Sequence, residues 1–245
     1  MRTRLLELST IDISQIRKPS EEIIELFRRT PTSCFYDATV RPALGVLRGG
    51  LCMTEVRAVS YHGQRMVGPA GTLRFGRIRG VPSHPSKHRI RMSSATEQFP
   101  AGTVIVIEGV REERSVWGEL ATKKMVRRNM AGLVTDGFVR DLKEIRETGF
   151  TMFARGTTPI GYVPQYEVIE VNGAVNCGGV QVRPGDIIVG DEDGVVAVPS
   201  EMVEEYAKHI KEINYYEDKM REAIGEGKPS DQIYKSFHVA KYGLQ

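Results

Sequence analysis

The residue types between Gly118 and Asp141, and their spacing, suit the binding of a small carboxylic acid. An amphipathic pattern after Gly118 predicts a helix, and its first turn leaves the backbone N–H groups of Leu120 and Ala121 unpaired. Such N–H groups bind a carboxylate, and the guanidinium of Arg140 can hold a further oxyanion through its fork of donors. One helix and one strand separate Gly118 from Arg140, so both are expected at the same edge of a sheet.

Two carboxylates complete this candidate site. Asp141 is a hard oxygen ligand of the kind that Mg²⁺ or Mn²⁺ prefers. Glu119, in the first turn of the predicted helix, can hold a metal-bound water and share its proton. Together these groups suit a 2-oxo acid that chelates a divalent metal ion while an enolate forms.

The same residues carry a resemblance to a known family. The stretches WGELATKKM and AGLVTDGFVRD, followed by FARGTTP, CGGVQVRPGD and GDEDGVVAVP, resemble the RraA-like family. That family includes class II 4-hydroxy-4-methyl-2-oxoglutarate/4-carboxy-4-hydroxy-2-oxoadipate aldolases and the regulator of ribonuclease E activity. The resemblance covers about residues 33–200, and its motif is an acidic residue, twenty residues and then Arg-Asp. Glu119 with Arg140-Asp141 has this spacing, although the aldolases often carry Asp at the first position.

The resemblance implies an α/β fold, a layered sandwich like the swivelling β/β/α (phosphohistidine-domain-like) fold. An N-terminal helical segment and a C-terminal helical arm would flank it. We expect one RraA-like domain over 1–245, with its core at about 33–200 and a helix and tail at 201–245. The resemblance also implies a homotrimer or homohexamer, with the site near a subunit boundary.

The implied activity is that of a metal-dependent class II aldolase. It would cleave a 4-hydroxy-2-oxo acid and release pyruvate through an enolate, with oxaloacetate decarboxylation as a side activity. Asp141 would hold the Mg²⁺ or Mn²⁺, Arg140 would stabilise the enolate, and Glu119 would position the metal-bound water. Gly118, Leu120, Ala121 and Arg140 would bind the substrate. Two alternatives stay open: a ribonuclease-regulator-like binding protein without catalysis, and another reaction on an oxo acid at the same site.

Composition is that of an ordinary globular chain, with 40% hydrophobic and 27% charged residues. A net charge of +3 is too small to indicate a nucleic-acid or membrane partner. No apolar run approaches the roughly 18 residues of a membrane span, and no signal peptide is evident. The three cysteines show no paired spacing and no zinc motif, which favours thiols in a reducing cytoplasm.

Periodicity and turn residues predict the remaining elements. Ser20 is expected to cap a helix through Arg29 and Ser200 one over 201–224, with further helices at 32–39 and 142–148. The apolar run 103–107 is typical of a strand buried on both faces. Further strands are predicted at 52–61, 66–77, 133–135, 150–155, 166–171, 180–182, 187–190 and 195–198.

Several acidic residues outside the motif have open roles. Glu217 falls on the apolar stripe of the last helix and is a candidate for a neighbouring subunit's site, with Glu212 as the second choice. For Asp37, a structural polar contact is favoured over a role as a ligand. Glu108, at the end of the buried strand, fits either a supporting role or a salt bridge to Arg111 or Arg114.

Three segments have predicted roles of their own. Residues 191–194 resemble a calcium loop only superficially, and a hairpin turn is favoured. The basic, proline-punctuated segment 78–96 predicts a loop. A solvated surface insertion is favoured there over a cover that supplies positive charge to a polyanionic substrate. Residues 225–245 are expected to form a loosely held tail that could wrap a partner subunit.

Overall fold

The structure, a computed structural model, describes residues 12–41, 51–78, 92–238 and 241–242. Within them the chain is a mixed α/β protein, which confirms the predicted class. The comparison with the phosphohistidine-domain-like fold stays a prediction. The helices are α1 (Glu21–Arg29), α2 (Thr32–Val40), α3 (Met92–Thr96), α4 (Glu119–Arg127), α5 (Leu142–Glu147), α6 (Val203–Gly225) and α7 (Ser230–Ile233).

Thirteen strands alternate with these helices in the part of the chain that the structure describes. They are β1 (Arg57–Ser60), β2 (Met66–Arg77), β3 (Val104–Glu108), β4 (Ser115–Trp117), β5 (Gly132–Thr135), β6 (Phe138–Val139), β7 (Met152–Ala154), β8 (Gly156–Thr157), β9 (Tyr166–Val171), β10 (Val175–Cys177), β11 (Val180–Val182), β12 (Ile187–Asp191) and β13 (Gly194–Val198).

Eight of the strands form the main sheet, in the order β1-β7-β5-β3-β2-β12-β13, with β9 also paired to β2. Its centre is parallel, since β2, β3, β5 and β7 pair in that sense. Twelve-residue β2 pairs with β12 through its first half and with β3 and β9 through its second half. Two smaller sheets, β10–β11 and β4–β6–β8, complete the structure.

Strand β3 confirms the prediction of a strand buried on both faces. Ile105 and Ile107 pack into one hydrophobic cluster, and Val104 and Val106 into another. Alternate side chains of a strand point to opposite faces, so a continuous apolar run requires cover on both sides. The parallel centre of the sheet therefore lies inside the protein.

Helices α1, α2 and α6 pack together over β12 and β13. The rings of Phe27 and Phe35 meet edge to face with centroids 4.9 Å apart, and Tyr206 from α6 is fully buried beside them. Ser20 caps α1 as predicted, because its hydroxyl accepts a hydrogen bond from the N–H of Ile23.

Several predicted boundaries were wrong. Only Arg57–Ser60 of 52–61 is a strand, with Cys52 forming an isolated bridge. Ser200 does not cap the last helix but begins a 3₁₀ turn, and α6 starts at Val203. The predicted loop 78–96 ends in helix α3, while its residues 79–91 lie outside the described residues.

The end of the chain also departs from the expectation of a loose tail. Residues 230–238 are helical, and Lys241 is buried against its own subunit. The hairpin prediction at 191–194 was right, since these residues join β12 to β13. No helix in the described ranges has the length and apolar character needed to cross a membrane.

Candidate active site

The small β4–β6–β8 sheet, rather than the main sheet, brings the predicted site residues together. Its three strands are parallel, with Trp117 opposite Val139 and Val139 opposite Thr157. Parallel strands end at the same edge, so the residues that follow each strand become neighbours. Two hydrogen bonds of 3.0 Å fix this edge, from Arg140 N to the Trp117 carbonyl and from Thr158 N to the Val139 carbonyl.

Two helices begin at this edge. Gly118 directly follows β4 and is the N-terminal cap of α4, while Asp141 follows β6 and caps α5. Leu120 and Ala121 lie in the first turn of α4, where backbone N–H groups generally lack intrahelical acceptors, and their role in binding a carboxylate stays a prediction. Asp141 adopts the left-handed conformation, with φ 59° and ψ 39°, which turns the chain sharply between strand and helix.

The Asp141 carboxylate links the two helix starts. Its Oδ2 accepts a 3.1 Å hydrogen bond from Glu119 N and lies 3.6 Å from Arg140 Nε. The side chains of Arg140 and Asp141 remain 49% and 42% exposed, so both stay accessible to a ligand. A Cβ atom at Gly118 would lie 2.6 Å from Asp141 Oδ2 and 3.1 Å from Arg140 Nε. The absence of a side chain at 118 therefore makes this arrangement possible.

The Glu119 side chain is ion-paired along α4. Its carboxylate contacts the ammonium of Lys123 one turn later, and it is 21% exposed. The hydrogen bond to Glu119 raises the pKa of Lys123, with Glu147 and Glu144 adding smaller contributions of the same sign. The role of Glu119 in holding a water stays a prediction.

A cleft of about 780 Å³ opens over these groups. Charged groups on its lining are Arg140 with three carboxylates, and apolar side chains form much of the rest. The lining residues are Met92, Ser115, Val116, Trp117, Gly118, Glu119, Leu120, Ala121, Arg140, Asp141, Glu144, Gly161, Tyr162 and Val163. A hollow of about 420 Å³ beside it shares Arg140 and Asp141 and adds Thr157, Thr158 and Pro159.

The donor set fits a hard divalent cation of the Mg²⁺ type. The described contacts of the Asp141 carboxylate fall on Oδ2, and its half-exposed side chain lines the cleft. Mg²⁺ is commonly held by one or two carboxylates, with water and substrate oxygens completing its shell. No cluster of three or more His, Cys, Asp or Glu side chains suited to a metal occurs among the described residues, so an all-protein cage is not present there.

Glu217 lies in a second polar cluster, formed where the end of the chain meets α2 and α6. Lys241 Nζ lies 2.7 Å from Glu217 Oε1 and 2.6 Å from Asp37 Oδ2, and only 7% of the lysine side chain is exposed. Arg221 contacts the other oxygen of Glu217 at 2.6 Å, and the Cys34 thiol is 3.6 Å from Oε1. We call these five residues the Lys241 cluster.

Ionisation in the Lys241 cluster follows from these contacts. Burial works to raise the pKa of Glu217, but the hydrogen bond and charge of Lys241 outweigh it, so this pKa is lowered. Burial likewise opposes the charge of Lys241, but the Asp37 and Glu217 carboxylates raise its pKa on balance. Burial, followed by the Glu217 charge, raises the pKa of the Cys34 thiol to about 12.

The other acidic candidates have structural partners. Asp37 makes the polar contact that was favoured for it, with Lys241. Glu108 pairs with Arg74 at 2.9 Å rather than with Arg111 or Arg114, so the predicted salt-bridge partners were wrong, while a supporting role for Glu108 stays a prediction. Glu212 Oε2 lies 2.5 Å from Arg41. A trans-subunit role for Glu217 or Glu212 stays a prediction.

Sequence reasoning did not identify the contribution of residues 157–163 to the site. Thr157 and Thr158 line the smaller hollow, and Gly161, Tyr162 and Val163 line the cleft. Strand β8, Gly156–Thr157, precedes this segment, and two residues are too few for a periodic pattern to predict a strand.

Comparison with known proteins supports one family. A family model described as RraA-like, Aldolase/RraA, matches residues 33–197. A relative from Halalkalibacterium halodurans, named "Putative 4-hydroxy-4-methyl-2-oxoglutarate aldolase", is 28% identical over 214 residues, 87% of this chain and 93% of its own. An uncharacterised protein of Methanocaldococcus jannaschii is 42% identical over 135 residues, 54% of this chain. That match spans 64% of the Methanocaldococcus protein, a little under two thirds.

Solved structures agree on the fold. The crystal structure of an uncharacterised protein from Pseudomonas syringae pv. tomato superposes with a TM-score of 0.78 at 22% identity, covering 91% of this chain and 97% of that one. Streptomyces coelicolor RraAS2, described as an unusual member of the RNase ES inhibitor RraA protein family, superposes with a TM-score of 0.71 at 25% identity. Its match covers 83% of this chain and 98% of that one.

Proposed function

The chain belongs to the RraA-like family, and from that premise we propose that it is a divalent-metal-dependent lyase. It cleaves the C3–C4 bond of a 4-hydroxy-2-oxo acid and releases pyruvate. One observation supports the proposal: Arg140, Asp141 and the first-turn residues Leu120 and Ala121 of α4 line a single cleft. The aldolase name of the Halalkalibacterium relative supports the reaction class.

Substrate binding uses the start of α4 and the neighbouring guanidinium. The substrate carboxylate accepts hydrogen bonds from the N–H groups of Leu120 and Ala121, where the helix dipole also favours an anion. Arg140 reaches the 2-oxo oxygen, on which negative charge develops as the bond breaks. Hydrogen-bond donors that are fixed in place and directed at the developing charge make the largest single contribution to the rate enhancement in many enzymes.

Bond cleavage requires one proton to leave and another to return. The C4 hydroxyl gives up its proton and becomes a carbonyl, while the electron pair of the C3–C4 bond passes into the pyruvate enolate. C3 then takes a proton, so the reaction has no net redox change. Glu119, on the lining of the cleft, is the carboxylate we assign to these transfers. Oxaloacetate decarboxylation gives the same enolate and is the expected side reaction.

Asp141 is the residue that would hold the metal, with Glu119 acting through water. A bound Mg²⁺ or Mn²⁺ would supply Lewis acidity to the 2-oxo group. Asp141 also contributes to the geometry of the site without the ion, because its Oδ2 accepts a hydrogen bond from the Glu119 amide and lies 3.6 Å from Arg140 Nε.

The test is pyruvate release from 4-hydroxy-2-oxo acids with Arg140→Gln and the control Arg127→Gln. Arg127 is exposed on α4 and does not line the cleft. We expect Arg140→Gln to lower kcat by about 100-fold or more, the cost of removing one donor to a developing oxyanion, with Arg127→Gln close to wild type. Removal of divalent ions by EDTA should abolish release, and Mg²⁺ or Mn²⁺ should restore it. Equal rates for the two variants contradict the proposal.

The likeness to RraAS2 favours a second candidate, a non-catalytic protein that binds a ribonuclease. The exposed Leu120 at the rim of the cleft would then contact the partner. Inhibition of a ribonuclease E-type enzyme, unchanged in Arg140→Gln and accompanied by no turnover of any oxo acid, would favour this candidate.

A further inference from the structure

We propose that Thr122 is a positioning residue of the cleft, which fixes the first turn of α4 relative to Arg140 by holding the side chain of Trp117. This inference rests on the proposed function, in which that turn binds the substrate carboxylate and Arg140 reaches the 2-oxo oxygen. Thr122 is fully buried and does not line the cleft itself. It therefore acts through the groups that do.

The hydroxyl of Thr122 makes two hydrogen bonds at the start of α4. Its Oγ1 lies 2.9 Å from the indole Nε1 of Trp117 and 3.1 Å from the carbonyl oxygen of Gly118. An indole N–H is a donor only, so the hydroxyl accepts that bond and donates its own proton to the Gly118 carbonyl. Threonine in a helix often donates to the carbonyl four residues earlier. The bond from the indole is the additional one, and it ties the first turn of α4 to strand β4.

Trp117 joins this turn to Arg140. It is the last residue of β4, and only 2% of it is exposed. Its carbonyl oxygen accepts hydrogen bonds from Arg140 N at 3.0 Å and from Ser115 Oγ at 2.8 Å. The same residue thus contacts α4 through its side chain and the end of β6 through its backbone. The distance between the two halves of the site depends on where Trp117 lies.

Loss of the Thr122 hydroxyl would leave the buried indole N–H without this acceptor. A buried donor that loses its partner is costly, so the ring or the first turn of α4 must move to relieve it. Arg140 would stay in place, because its backbone bond to the Trp117 carbonyl and the pairing of β4 with β6 do not involve the hydroxyl. The turn would therefore shift relative to Arg140, and hydrogen bonds from the turn weaken steeply when their geometry is lost.

This displacement should change affinity more than rate. A carboxylate that is held equally in the substrate and in the transition state contributes uniform binding, and its loss raises KM while kcat is unchanged. Thr122 variants should therefore raise KM, whereas Arg140 variants lower kcat. A general loss of folded protein would instead lower the apparent kcat and leave KM unaltered, so the two explanations are separable.

Binding of pyruvate with Mg²⁺ present, measured by titration calorimetry, tests the inference. Thr122→Val removes the hydroxyl and keeps the shape, while Thr122→Ser keeps the hydroxyl. We expect the Kd for pyruvate to rise by about 10-fold in Thr122→Val, the weight of one hydrogen bond to a charged group, and Thr122→Ser to remain near wild type. KM for 4-hydroxy-4-methyl-2-oxoglutarate should rise by the same factor, with kcat little changed.

Thr39→Val is the matched control. Thr39 is buried in α2, donates its hydroxyl proton to the Tyr36 carbonyl and does not line the cleft, so its replacement should leave Kd and KM unchanged. Wild-type affinity in Thr122→Val, or equal losses in Thr122→Val and Thr122→Ser, overturns the inference and leaves the lyase proposal intact.

A second variant covers the case in which Thr122→Val does not unfold cooperatively. Trp117→Phe removes the indole donor and leaves the bond from Thr122 to the Gly118 carbonyl possible. We expect its Kd for pyruvate to rise as well, and wild-type affinity in this variant overturns the inference. A wild-type protein that neither binds pyruvate nor releases it from a 4-hydroxy-2-oxo acid overturns the lyase proposal itself.

Discussion

Gly118 offers the sharpest test of the geometry, because the space beside its Cα is already filled. The Cβ of Gly118→Ala would lie 2.6 Å from Asp141 Oδ2, whereas ordinary contacts begin at 3.4 Å. The carboxylate must therefore shift by about 0.8 Å, and the Arg140 side chain, 3.1 Å away at Nε, must shift with it. The backbone itself tolerates alanine, since φ of −156° is ordinary extended geometry.

The expected result is a loss of activity with little loss of stability. Displacing catalytic groups by about 1 Å costs on the order of 100-fold in rate, so kcat/KM for pyruvate release should fall by about 30- to 100-fold. The midpoint of thermal unfolding should change little, because Arg140 and Asp141 are half exposed and can move aside.

Two further glycines supply controls for this prediction. Gly161→Ala meets Arg140 Nη1 at 3.3 Å and should cause a much smaller loss, while Gly225→Ala has open space around it and should cause none. Wild-type activity in Gly118→Ala would refute the claim that this close approach positions Arg140 and Asp141. So would equal losses in Gly118→Ala and Gly161→Ala.

Three further predictions concern the Lys241 cluster and the thiols. Lys241→Met should lower the free energy of unfolding by about 2 kcal/mol, because it leaves the partly exposed carboxylates of Asp37 and Glu217 without their cation. The control Lys235→Met removes an exposed lysine and should leave the free energy of unfolding unchanged. Equal urea midpoints for the two variants would contradict this prediction. The pKa of Glu217 is lowered below 4.5, so its stabilising contribution is complete above that pH and is lost as pH falls through the lowered value. The difference in melting temperature between wild type and Glu217→Gln should therefore close at acidic pH, and a constant difference would count against the ion pair. Burial raises the pKa of the Cys34 thiol to about 12 and also raises that of Cys177. A thiol reagent at pH 8 should therefore modify neither cysteine before the protein unfolds. Rapid labelling of either cysteine in the native protein would contradict this prediction.

Much of the fold was predictable because its signals are local. The run Val104–Ile107 indicated a strand covered on both faces, and Ser20 marked a helix start through a side chain that satisfies a backbone donor. The start of α4 at Gly118 followed from amphipathic periodicity. These features depend on neighbours within a few residues, which the sequence displays directly.

The parts that escaped prediction depend on distant contacts. Strands β4, β6 and β8 have two or three residues each, too few for a period, and they exist because they pair with one another. Their parallel pairing brings Gly118 and Arg140 together, whereas the sequence suggested a helix–strand unit of one sheet. The capture of Glu217 by Lys241, 24 residues later, likewise depends on how the end of the chain folds back.

The left-handed backbone at Asp141 has a consequence for how this position can vary. Most side chains with a Cβ pay about 1–2 kcal/mol in that conformation, while asparagine and aspartate adopt it more readily and glycine freely. Alanine at 141 would therefore combine a backbone penalty with the loss of the carboxylate. Asparagine keeps the turn and removes only the charge, so Asp141→Asn is the informative replacement. Both the backbone conformation and the carboxylate thus constrain position 141, so few residues can replace Asp141 in the turn between β6 and α5.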